Sequence, residues 1–154
     1  MVWLYNVVLD IKIIPEHIYM GSNELNVYEG GTVLISPTHI FVQTEYYKSR
    51  ITEYHLIKLP KHGCVQVRKS CTKLNKFLYE EFNAGIVHYW HDGSENLKDS
   101  VVLVALAGSK RSFPITLSII ILPINDQIPH VINNTGLTMW EGGVTILTNS
   151  MIGE

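Results

Sequence analysis

The amino-acid sequence predicts an all-β fold, an antiparallel β-sandwich of short strands, on three observations. Apolar and polar residues alternate with a period of two in several stretches, the pattern of a strand with one buried face. Those stretches are bounded by Gly, Pro, Asn and Asp turn signals at short spacing. Charged residues make up only 17% of the 154-residue chain against 46% hydrophobic, and Val, Ile, Thr and Tyr are frequent, a composition of strands more than of surface-rich helices.

The elements follow in order. Leu9, Ile11 and Ile13 alternate with Asp10 and Lys12 and stop at Pro15. The stretch from Ile51 to Ile57 alternates similarly and ends at Pro60 and Gly63. Cys64 to Cys71 reads as two short strands around a turn at Val67 to Ser70, which would set Cys64 opposite Cys71 within bridging distance; two free, half-buried thiols are the alternative. Only Phe77 to Phe82 looks helical, for a single turn. Ile86 to Trp90 starts after Asn83-Ala84-Gly85 and ends at His91-Asp92-Gly93-Ser94. Ser100 to Ala107 is a continuous apolar strand closed by Gly108-Ser109-Lys110. Ile115 to Leu122 is the last strand, closed by Pro123 and by Asn125-Asp126.

Part of the sequence occurs twice. Leu9-Asp10-Ile11-Lys12-Ile13-Ile14-Pro15 matches Leu117 to Pro123 at an offset of 108 residues. Leu25-Asn26-Val27-Tyr28-Glu29-Gly30-Gly31 matches Leu137-Thr138-Met139-Trp140-Glu141-Gly142-Gly143 at an offset of 112, and Thr32 to Ile35 pairs with Val144 to Leu147. A period this long is a whole domain, so the pattern is a string of domains and not a short-repeat solenoid. Residues 1–15 are expected to be the last strand of a preceding repeat, 24–123 one complete repeat, and 136–154 the start of a following one.

Composition also excludes. A formal net charge of −2 gives no electrostatic reason to expect nucleic acid or an anionic membrane as partner. No apolar run approaches the roughly 20 residues of a membrane-spanning helix. Val2 to Leu9 is apolar but has no basic segment before it and no small-residue cleavage pattern, so an export signal would lie outside this chain. Asn133 heads an Asn-Asn-Thr sequon, a glycan acceptor in the secretory pathway, and no Ser-Gly dipeptide is present to take a glycosaminoglycan.

One order of motifs is more specific. Leu59-Pro60-Lys61-His62-Gly63 is followed by Gly85-Ile86-Val87-His88-Tyr89, then His91-Asp92-Gly93-Ser94-Glu95 and Asp99. Ile121-Leu122-Pro123-Ile124-Asn125-Asp126 and Gly136-Leu137 to Glu141-Gly142-Gly143 complete it. This order resembles the chondroitin sulfate proteoglycan repeat, which occurs in tandem in the Fraser-syndrome extracellular matrix proteins and in a transmembrane proteoglycan. The match covers essentially the whole chain, and its linker leans toward the Fraser-type proteins. The resemblance implies a cadherin-like Greek-key sandwich and an extracellular adhesive role.

It also implies a cation. Residues 123–129 resemble the linker between cadherin domains, so Asn125 and Asp126 would bind calcium with Glu141, the shell completed by Asp92, Glu95 or Asp99. Two departures weigh against it. Ala105-Leu106-Ala107-Gly108 lacks an Asp before the Gly, and Pro15-Glu16-His17-Ile18 lacks the Asn-Asp pair. The alternative reading has Asn125 and Asp126 capping a turn and Asp92-Gly93 forming a hairpin turn. No other cofactor is expected.

His88 and His91 are three apart on a strand, so they face opposite ways and cannot easily share a zinc ion. No Gly-x-Ser-x-Gly elbow, phosphate-cradling loop or Cys-x-x-Cys occurs. Cys64 as a nucleophile would need a positioned base, and Glu80-Glu81 cannot point together at one substrate. The chain is not expected to be an enzyme. Tyr89 fits the core, Trp140 fits packing between repeats, and Tyr46-Tyr47 fit either an exposed patch or loop packing. The expectation is a structural and adhesive repeat of an extracellular matrix or cell-surface protein, serving adhesion of epithelium to basement membrane. Its partners would be matrix proteins or neighbouring repeats, with no nucleic acid and no membrane contact by this segment. The alternatives are a ligand-binding ectodomain module and a domain appended to a secreted enzyme.

Overall fold

The structure is a computed structural model that describes residues 11–71, 75–125, 133–134, 137–146, 148 and 152–153. Two compact units result, Met1–Ile124 and Asn125–Glu154. The first holds the sandwich. It begins with β1 (Met20–Ser22), β2 (Leu25–Tyr28), β3 (Thr32–Leu34), β4 (Ile40–Val42), a one-turn helix α1 (Glu45–Lys48), β5 (Glu53–Lys58) and β6 (Gly63–Val67). It continues with β7 (Lys76–Leu78), a second short helix α2 (Tyr79–Asn83), β8 (Val87–His91), β9 (Lys98–Ala107), β10 (Lys110–Arg111) and β11 (Ile115–Leu122).

The larger sheet has the order β2-β11-β9-β5-β7 with β10 paired to β9, the smaller one β3-β8-β6, and β1 pairs with β4 separately. Alternation in the sequence decides what faces inward. In β11 the residues Leu117, Ile119 and Ile121 are buried while Thr116 and Ser118 are exposed. In β8 the residues Val87, Tyr89 and His91 are buried and His88 and Trp90 only half-buried. Tyr54, Phe77 and Phe82 close one flank of the core with ring centroids 5.2–6.0 Å apart, a spacing at which aromatic rings attract beyond simple burial.

The expected β-sandwich is present, with differences in detail. One pair of strands is parallel, β11 with β2, Ile119 opposite Leu25 and Ile121 opposite Val27. A parallel pair needs a long crossover, and here everything between the first strands and the last supplies it. The body also starts before residue 24, since Ile18 lies in the core and β1 pairs with β4. The helical stretch divides into β7 and α2, and α1 carried no helical signal. Of the Tyr46-Tyr47 pair, Tyr47 is buried.

The hairpin after β6 pairs Val67 with Ser70, and both central residues, Arg68 and Lys69, have positive φ. That is the backbone of a type I′ turn, which Asn and Gly adopt far more readily. Its register places Gln66, not Cys64, across from Cys71. The two cysteines are nevertheless joined diagonally, with Cα atoms 6.0 Å apart.

The duplicated blocks acquire a meaning. In the intact copy, the block beginning at Leu25 and the block beginning at Leu117 lie side by side in one ladder. Ile119 and Ile121 are 0% and 2% exposed, whereas their counterparts Ile11 and Ile13 are 78% and 85% exposed. The expected strand over 9–15 is not seen: residues 11–15 form no strand, and Leu9 and Asp10 lie outside the described residues. The intact copy is held between β9 and β2, and residues 11–15 have no such pair of flanking strands among the described residues. In the second unit β12 (Asn133–Asn134) pairs with β13 (Ile152–Gly153), while Leu137, Met139 and Trp140 are exposed.

Candidate functional site

The motif residues are scattered along the chain, and the fold gathers those of the first unit at one end of the sandwich. Its downstream pole, where the chain leaves β2 and β11, is built from residues 29–31, 61–63, 89–94 and 99. Inward alternation of β8 carries Tyr89 and His91 there, both fully buried.

Asp99, near the start of β9, is the hub. Its Oδ2 accepts from the Tyr89 hydroxyl at 2.9 Å and the His62 N–H at 2.8 Å. Its Oδ1 accepts from the N–H groups of Lys61 at 3.0 Å and Ser100 at 2.8 Å. Burial pushes the Asp99 carboxyl up, but these four donors outweigh burial and hold it below the usual carboxylate range. Burial, reinforced by the bond to Asp99, pushes the Tyr89 hydroxyl well above its ordinary value. Beside this hub Gly63 meets β8 so closely that an added Cβ would lie 2.1 Å from the Trp90 carbonyl oxygen and 2.8 Å from the Tyr89 hydroxyl. The Leu-Pro-x-His-Gly motif therefore needs its glycine for space.

His91 ties the other two segments together. Its Nδ1 accepts from the Gly30 N–H at 3.1 Å and the Gly93 N–H at 3.3 Å. Two donors on Nδ1 assign the proton of the neutral ring to Nε2. Nε2 is buried without a hydrogen-bond partner, 3.8 Å from Asp92 Oδ1. Gly30 and Gly93 both have positive φ, and each lies close enough that a Cβ would be 4.0 Å from the other's Cα. Asp92 Oδ1 accepts from the Ser94 hydroxyl at 2.6 Å and the Ser94 N–H at 2.9 Å, which lowers the Asp92 carboxyl. Glu29 completes the pole: its N–H donates to the Leu122 carbonyl at 2.9 Å, and its Oε2 accepts from the Ile124 N–H at 3.3 Å.

This arrangement binds chain segments to one another. Calcium takes six to eight oxygen ligands, whereas the four acceptor positions of Asp99 are engaged by protein donors and Asp92 Oδ1 is engaged twice. The Asp99 part of the expected donor set therefore does not fit a cation, while Asp92 is held through its Oδ1. Asn125 and Glu141 are exposed in the second unit, Asp126 lies outside the described residues, and Glu95 follows the Asp92 turn. Among the described residues no three His, Cys, Asp or Glu side chains converge as a metal cage. Asn133 begins β12. The sequence suggested Asp99 as a ligand and Tyr89 as simple core; only the 2.9 Å contact between them reveals a clamp.

A family model described as cadherin-like matches residues 18–121. The chain belongs to the cadherin-like family. This cadherin-like chain is 32% identical over 144 residues to human chondroitin sulfate proteoglycan 4, covering 90% of the chain and 6% of that protein. It is 28% identical over 155 residues to human FRAS1-related extracellular matrix protein 1, covering 97% of the chain and 7% of that protein. Human extracellular matrix organizing protein FRAS1 is 31% identical over 100 residues, 63% of the chain and 2% of that protein. These are the proteoglycan and Fraser-type proteins whose repeat the motifs resemble, and the chain spans only a few per cent of their length. The cadherin-like module is extracellular. Among the described residues no helix is long and apolar enough to cross a membrane.

Proposed function

We propose that the chain is a non-enzymatic spacer and adhesive repeat of an extracellular matrix or cell-surface protein. It sets the distance and direction between neighbouring repeats and presents surfaces to matrix partners between epithelium and basement membrane. One observation carries this reading: the hydrogen-bonding groups of Asp99, and the Nδ1 of His91, are engaged in holding the pole from which the chain continues. A site for chemistry keeps such groups open to a substrate.

The test is excision of residues 18–124 from the full-length protein, followed by attachment of epithelial cells to a basement-membrane layer under shear. Attachment strength should fall while secretion is retained; unchanged attachment would sink the adhesive reading. Calcium at Asn125, Asp126 and Glu141 is a separate proposal, decided by titration calorimetry of the 154-residue protein at millimolar calcium.

A further inference from the structure

The opposite end of the sandwich, the upstream pole, carries exposed aromatic and basic side chains and a pinned linker. Tyr19 and Phe113 are 52% and 53% exposed, yet with His17 they form a cluster of rings whose centroids lie 5.3–6.1 Å apart. Beside them Ile14, Tyr46, Arg50, Gly108 and Lys110 line a shallow depression of about 310 Å³. Arg50 stacks 3.9 Å over the Tyr46 ring. The chain reaching this pole is fastened to it by successive carbonyls. Pro15 accepts from the Tyr47 hydroxyl at 2.7 Å, Glu16 from Lys110 Nζ at 3.1 Å and His17 from the Thr44 hydroxyl at 3.4 Å.

The reach of the chain fixes what lies beyond. Ile13 corresponds to Ile121, a core residue of the last strand, so in its own repeat it is buried in a sheet. Ile18 is already in the core of this repeat. Five residues span at most about 18 Å, so the last strand of the preceding body ends within that distance of this face. Charge leans the same way: Arg50 and Lys110 are exposed here beside the single carboxylate Glu16, while the downstream pole of the repeat shows Asp92 and Glu29 beside the single cation Lys61, and that glutamate recurs in the duplicated block as Glu141. The linker 15–18 offers one carboxylate, Glu16, where a cation-bridged joint needs several.

We propose that the upstream pole is the seat of the preceding repeat's downstream pole. The joint is held by the aromatic cluster and the Arg50 and Lys110 cations, with the linker clamped by Tyr47, Thr44 and Lys110 and no metal between. This rests on the tandem-repeat reading above and adds to it a surface, an occupant and a stiffness that does not depend on calcium.

Hydrogen exchange followed by mass spectrometry tests it, comparing the full-length protein with the 154-residue chain. Residues 14–19 and 108–113 should exchange at least tenfold more slowly in the full-length protein, with and without EDTA. The full-length Tyr19→Ser/Phe113→Ser/Arg50→Glu variant should return both segments to the faster rate and leave 89–94 unchanged. Equal rates in the two wild-type proteins would overturn the docking, and so would faster exchange on adding EDTA alone. If residues 11–13 exchange like an unfolded peptide in the full-length protein, the tandem reading itself has failed. If they are protected and 14–19 and 108–113 are not, only the docking has failed.

Discussion

The two poles of this sandwich are built with different chemistry. The downstream pole is a closed polar knot: Asp99, His91 and the glycines at 30, 63 and 93 lock segments from four parts of the chain, and Tyr89 and His91 are sealed from water. The upstream pole is open, with half-exposed rings and cations around a clamped linker. A knot of buried groups that bond one another through Asp99 and the His91 Nδ1 holds its segments without a partner domain, whereas an exposed aromatic cluster gains its full burial only when something covers it. Motif-level sequence signals mark the first kind of pole and are nearly absent from the second.

Breaking the knot should therefore cost stability in the isolated chain, and altering the open pole should not. The largest effect is expected from Gly63→Ala, because the new Cβ would meet backbone of β8 at 2.1 Å and neither strand can yield without breaking the ladder. Urea unfolding should show a loss of about 3 kcal/mol. A loss below a few tenths would mean that β6 and β8 adjust freely there.

Next, Asp99→Ala strands the N–H groups at 61 and 62 and leaves the Tyr89 hydroxyl only the His62 carbonyl at 3.3 Å, and should cost about 2 kcal/mol in the same measurement. Acid sharpens this. The Asp99 carboxyl is depressed in the folded protein, so its contribution is complete above the unfolded carboxylate value of about 3.9 and is lost as pH falls through its lower folded value. Asp92 and Glu53 are depressed too, the latter by Lys76 and His55, so the diagnostic is a difference. Urea midpoints from pH 6 to pH 2 should converge for the wild type and Asp99→Asn. Parallel curves would remove Asp99 from the acid response.

The smallest effect belongs to the open pole. Phe113→Ser should change the stability of the 154-residue chain by less than about 0.5 kcal/mol, measured by thermal unfolding. A larger loss would show that the aromatic cluster serves this domain's own fold.

How much was legible follows from which residues are involved. Period-2 alternation located β5, because a strand with one buried face writes that face into its sequence, and apolar runs closed by turn residues located β8, β9 and β11. The turn glycines at 93 and 108 were visible for a similar local reason, their positive φ. Arg68-Lys69 was not, since these residues occupy a left-handed turn that their chemistry does not advertise. Helix α1 was hidden because one turn leaves no periodicity. The candidate site was half legible: the motif named Asp92, Asp99 and His91 but suggested a cation where the fold placed backbone and tyrosine donors.

By itself the sequence determined an all-β, repeated type of domain and the positions of its main strands. Those follow from local alternation, turn chemistry and duplication, each readable within a window of a few residues or by laying one stretch over another. Only the tertiary structure decided that β2 and β11 lie parallel, that four distant motifs meet at one pole, and that Tyr47 and Lys110 clamp the incoming chain. Such contacts join residues tens of positions apart, and a hydrogen bond depends on where two groups finally stand, which neither partner encodes alone.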